Sequence, residues 1–101
     1  MYDRKPKSAR GILRYAAQRA LMGENPTYVI CGKNGPTGKT WLTSELCKAG
    51  HRAFEITEGL GGFVDYRDNE NHMRDAGFSF MDMAGLVIIV LNKPLDETWK
   101  N

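Results

Sequence analysis

Gly32-Lys33-Asn34-Gly35-Pro36-Thr37-Gly38-Lys39-Thr40 brings together residue types that hold phosphate. Glycines let backbone N–H groups curl around phosphate oxygens with no Cβ in the way. Lys39 supplies a cation for the β- and γ-phosphates, and the Thr40 hydroxyl is a ligand for Mg²⁺. Gly32, Asn34, Gly35, Thr37 and Gly38 form the rest of the expected nucleotide-binding loop. A helix beginning at Lys39 would aim its open N–H groups and partial positive charge at the same anion.

The flanks agree with this chemistry. Tyr28-Val29-Ile30-Cys31 is an apolar run before the loop, and Trp41 to Lys48 is a helix-like run after it. Strand, glycine-rich loop, Gly-Lys-Thr and helix is the order of a P-loop. The usual spacing, G-x-x-x-x-G-K-[ST], needs glycine at Lys33. Here the first glycine is Gly32, so the loop is one residue longer.

The sequence predicts a single α/β domain over 1–101: a small, mostly parallel sheet with a P-loop βαβ unit and an N-terminal amphipathic helix. Its expected parts are a basic tail at 1–7, the helix at 8–23, a P-loop-like core at 27–94 and a polar tail at 95–101. Ser8 is the expected N-cap, with Ile12, Leu13, Ala16, Ala17, Ala20 and Leu21 as the apolar stripe. Leu42, Leu46 and Ala49 should form the inner face of the second helix, which stops at Gly50. Arg52–Thr57 reads as the next strand, joined by a right-handed crossover. Phe63–Tyr66 reads as a short strand and 78–82 as another. Leu86–Leu91 reads as a central strand buried on both faces.

A working nucleotide site needs a carboxylate at a strand end to hold the Mg²⁺ shell or orient water. Asp82 and Asp65 are the two candidates, and Asp82 is preferred. Asn92 ends the last apolar run and is the candidate contact to the γ-phosphate or its water. Asp82 and Asn92 are thus the expected catalytic residues, and Thr40 and Asp82 the expected metal ligands.

At 101 residues the chain is short for an enzyme of this kind. Its net charge of +2 is unevenly spread. Residues 1–20 carry six bases (Arg4, Lys5, Lys7, Arg10, Arg14, Arg19) against Asp3, which is +5 and leaves −3 for the rest. Arg4, Lys5, Lys7, Arg10 and Arg14 are therefore the expected contacts to nucleic acid or a protein partner. Cys31 and Cys47 read as reduced core residues of a cytoplasmic protein. His51 and His72 are too isolated for a zinc site. The longest apolar run, 84–91, is too short to cross a membrane.

With Gly32, Gly35, Gly38, Lys39 and Thr40 matching G-x-x-G-x-x-G-K-T, and an apolar strand running into Asn92 and Pro94, residues 27–94 resemble P-loop NTPases, in particular the superfamily 3 helicase domains of viral replication initiators. The resemblance implies ATP with Mg²⁺ at the loop, an Mg²⁺ role for Asp82 or Asp65, and γ-phosphate sensing by Asn92. The stretch from the loop to Asn92 is shorter than that family uses, and no arginine-finger segment follows. Any ATPase activity is therefore expected to be weak, unless oligomerisation or a partner supplies an arginine such as Arg52, Arg67 or Arg74 in trans. The alternative expectation is a non-catalytic phage or viral interaction or inhibitor protein on a degenerate P-loop scaffold.

Overall fold

The computed structural model describes residues 6, 8–32, 37–56 and 78–91. The elements are α1 (Ala9–Leu21), β1 (Thr27–Gly32), α2 (Lys39–Lys48), β2 (Arg52–Glu55), β3 (Phe78–Met83) and β4 (Leu86–Leu91). The expected strand at 63–66, with Asp65, lies outside the described residues, as does Asn92.

The four strands form one sheet in the order β2-β1-β4-β3. The β1–β2 and β1–β4 pairs are parallel, and β3–β4 is an antiparallel hairpin, so the sheet is mixed. β4 lies between β1 and β3, as its continuous apolar sequence requires. Residues 87–91 are all buried. Alternation sorts them by face. Val87, Ile89 and Leu91 share a cluster with Tyr28 and Ile30 of β1, Ala53 of β2 and Phe80 of β3. On the other face, Ile88 and Val90 join Cys31, with Ile56, Met81 and Leu86 packed around them.

Both helices cover the first of these faces. α1 starts at Ser8, whose hydroxyl accepts the Gly11 N–H at 3.0 Å. Each helix ends in the same paired arrangement of hydrogen bonds. Gly23 N–H donates to Ala20 and Glu24 N–H to Arg19; Gly50 N–H donates to Cys47 and His51 N–H to Leu46. These Schellman ends require a left-handed residue, which Gly23 (φ 80°) and Gly50 (φ 91°) supply.

Leu42 and Leu46 of α2 are fully buried. Each contributes about 1.5–3 kcal/mol on leaving water. Ala49 is exposed, and Lys39 takes a place in the inner face instead. In α1 the buried residues are Ala9, Ile12, Tyr15 and Ala16, while Ala17, Ala20 and Leu21 are exposed. The stripe is thus rotated from the expected one, because Tyr15 turns inward. Its ring meets Phe80 edge-on at 5.0 Å. Such a pair adds about 0.5–1.5 kcal/mol beyond burial.

One turn later Arg19 reaches Asp82, so α1 runs along β3 in the same direction. Four helical residues rise ~6 Å. Two strand residues advance ~7 Å. The C-terminal end of α1 therefore lies at the hairpin turn, and its N-terminal end lies towards Phe78, level with Leu91 and Gly32.

Candidate phosphate-binding site

β1 and β4 finish side by side, with Gly32 opposite Leu91. Gly32 has φ 131°, and a Cβ there would overlap the Leu91 carbonyl. Its glycine is thus required by the close approach of β4, whatever binds beyond it. Asn34 and Gly35 lie outside the described residues. The chain is described again from Thr37, which is 4% exposed.

Gly38 is the N-cap of α2 in the left-handed conformation, φ 97°, and as a glycine it offers no side chain to cap the helix. The first turn also holds no acid. The N–H groups of this turn therefore receive no side-chain acceptor from the N-cap residue, the position that usually provides one. Lys39 sits there at 5% exposure, and its Nζ donates to Thr37 Oγ1 at 3.2 Å. A cation at the positive end of a helix raises the local potential, and burial strengthens its field. Lys39 acts on Cys31 through that field, opposing the burial that pushes the Cys31 thiol up to about 12.

Thr40 is exposed, and its hydroxyl donates to Glu55 Oε1 at 2.8 Å. Glu55 ends β2 opposite Ile30, and the following Ile56 N–H bonds the Ile30 carbonyl at 2.8 Å. The carboxylate thus comes from the strand beside β1, at the loop end of the sheet. The sequence reading passed over Glu55. The signal was available: an acid closing the first strand after the loop's helix, in a unit whose strands must be parallel.

Asp82 requires a correction. It is opposite Val87 near the start of β4, at the end of the sheet away from Gly32. Its carboxylate accepts from Arg19 Nη1 at 2.7 Å. Arg19 also donates to Tyr15 Oη at 2.8 Å and to Glu24 Oε2 at 3.2 Å. Burial still pushes the Asp82 carboxyl above the usual range. Antiparallel pairing turned its strand round, so Asp82 fastens α1 to β3 and is not brought to Thr40 as an Mg²⁺ ligand or catalytic group.

Of the expected residues, Gly32, Thr37, Gly38, Lys39 and Thr40 therefore gather at one end of the sheet. Arg52, opposite Thr27, stands at the other end. Arg10 and Arg14 lie on the exposed side of α1, while Arg4, Lys5 and Lys7 lie outside the described residues. Cys31 is buried as expected, but Cys47 is exposed, and both are free thiols. Among the described residues no group of three or more His, Cys, Asp or Glu could hold a metal, and no helix is long and apolar enough to cross a membrane. No protein-family model matches the chain, and neither curated proteins nor solved structures give a match.

Proposed function

We propose that this chain binds the phosphate groups of a nucleotide at Thr37–Thr40. One observation carries the reading: Lys39, 5% exposed, is buried beside a helix N-terminus whose cap residue, Gly38, has no side chain to close it. The lysine and the helix N-terminus both place positive potential there, which favours a phosphate oxygen. The resemblance of the loop to superfamily 3 helicase domains makes ATP the first nucleotide to test.

Mg²⁺ prefers hard oxygen ligands and keeps several waters. The Thr40 hydroxyl and Glu55 carboxylate, 2.8 Å apart, fit that preference and would hold the ion where the loop meets the phosphates. When bound, Mg²⁺ neutralises charge on the β- and γ-oxygens. Lys39 neutralises phosphate charge directly, and the backbone N–H groups of the first α2 turn orient the oxygens.

The rival reading is a non-catalytic interaction protein on a degenerate loop. Lys39–Thr37 and Thr40–Glu55 favour it, because they occupy the loop's polar side chains with groups of the protein itself, Thr37 within the loop and Glu55 at the end of β2. Isothermal titration with ATP–Mg²⁺ separates the two readings. The phosphate reading expects saturable binding that Lys39→Ala weakens by at least about tenfold, ~1.4 kcal/mol. Absence of binding at millimolar ligand, or an unchanged affinity in the variant, overturns it in favour of the interaction protein.

A further inference from the structure

The six bases of residues 1–20 do not share one fate. Arg19 is absorbed by Asp82, Glu24 and Tyr15 at the hairpin end of α1. Arg10 and Arg14 are exposed, and among the described residues neither makes an ion pair. They stand four residues apart, so they share one side of the helix, one turn from each other. No acidic residue occurs anywhere in α1 to neutralise them. Ala17 and Gln18, also exposed, continue that side without adding negative charge. In the sequence Arg4, Lys5 and Lys7 lead into it.

The position of this face matters as much as its sign. The contacts Tyr15–Phe80 and Arg19–Asp82 fix the direction of α1 along β3. Arg10 and Arg14 consequently lie in the half of the helix nearest Phe78, at the same end of the sheet as Gly32, opposite Leu91. The cations that stay open are thus those on the loop side, while the one at the far end is neutralised.

We infer that the exposed face of α1, through Arg10 and Arg14, is a contact surface for the sugar–phosphate backbone of nucleic acid. Two forked guanidiniums in one row suit a polyanion with regularly spaced phosphates. The contact is electrostatic and without base preference, so its affinity falls as salt rises. It stands apart from nucleotide binding at Lys39, and either can fail without the other.

The test uses the full chain and a fluorescein-labelled single strand of about 20 nucleotides, long enough for one site. Anisotropy is followed between about 50 and about 200 mM salt. The expected result is salt-dependent binding. The double variant Arg10→Glu/Arg14→Glu lowers its affinity by roughly tenfold or more and its log–log salt slope by about 1.4, the value for two single-strand phosphate contacts. Lys48→Glu, exposed on α2, should leave the slope nearly unchanged, and Lys39→Ala should retain oligonucleotide binding. Circular dichroism checks that each variant is folded. Wild-type chain that ignores the oligonucleotide, or a double variant that binds like wild type, overturns the inference. Loss of oligonucleotide binding in Lys39→Ala alone also overturns it, because the strand would then be held at the loop. Retention of the chain on polyglutamate but not on DNA, dependent on Arg10 and Arg14, assigns the face to an acidic polypeptide and overturns it too.

Discussion

Thr40 Oγ1 donates to Glu55 Oε1 at 2.8 Å, joining the first turn of α2 to the end of β2 across 15 positions of sequence. A carboxylate this close to a helix start repels a bare phosphate and attracts one that carries a cation. On the proposed reading, Glu55 would set which form of ligand the loop accepts.

Glu55→Gln should weaken ATP–Mg²⁺ binding by about tenfold, ~1.4 kcal/mol. In EDTA the same variant should bind ATP more tightly than wild type does. Thr40→Ala and Glu55→Gln should be non-additive, with a coupling of about 0.5–3 kcal/mol. Isothermal titration of the two single variants and the double variant measures all of this. Additive losses would mean that the two side chains do not work together.

Gly32→Ala should be severely destabilising. The position has φ 131°, and the new methyl would overlap the Leu91 carbonyl, so β1 and β4 would have to separate at the loop end. A loss of more than about 3 kcal/mol follows from backbone strain combined with overpacking. Urea unfolding monitored by circular dichroism gives the value. A loss of about 0.5 kcal/mol or less, that of an ordinary surface change, would show that the strand ends yield easily.

Tyr28 makes the opposite case. It is 1% exposed, and its buried hydroxyl has no hydrogen-bond partner among the described residues, although its ring meets His51 edge-on at 5.8 Å. Desolvating an unsatisfied hydroxyl costs about 1–3 kcal/mol. Tyr28→Phe keeps the ring and removes that cost, so thermal unfolding should show an unchanged or higher Tm. A clear drop would reveal a partner for the hydroxyl.

The two cysteines should differ sharply in reactivity. Burial pushes the Cys31 thiol up to about 12, so almost none is thiolate at neutral pH. Cys47 is exposed. Brief treatment of the folded chain with iodoacetamide should give one adduct by mass spectrometry, at Cys47. Equal labelling at Cys31 would mean that β1 opens readily to solvent.

Much of the architecture was legible because local signals agreed with one another. Ser8, Gly23 and Gly50 punctuate the helices where their chemistry demands, and the unbroken apolar run 86–91 marks a strand with neighbours on both sides. Which end of the sheet an acid reaches depends on strand direction, and nothing local in 78–82 tells parallel from antiparallel. Asp82 was therefore placed at the wrong end, and Glu55 was passed over although its strand directly follows the loop's helix. Tyr15 was missed for a related reason. Helical period alone does not say which of two overlapping stripes meets the sheet, and the choice was made by Phe80 on a distant strand.

The ladder between β1 and β4 joins residues 59 positions apart, Thr27 to Leu86 and onward to Gly32 and Leu91. Contacts of such separation are slow to form, because the intervening chain must be closed before any of their energy is gained. On a ribosome, the strand that leads into the loop emerges long before its inner neighbour has been made. Until then that strand has β2 on one side and an unpaired edge on the other, ready to join any extended segment nearby. Synthesis of β4 is thus the event that closes this edge, and the interval before it is when the strand is most open to mispairing.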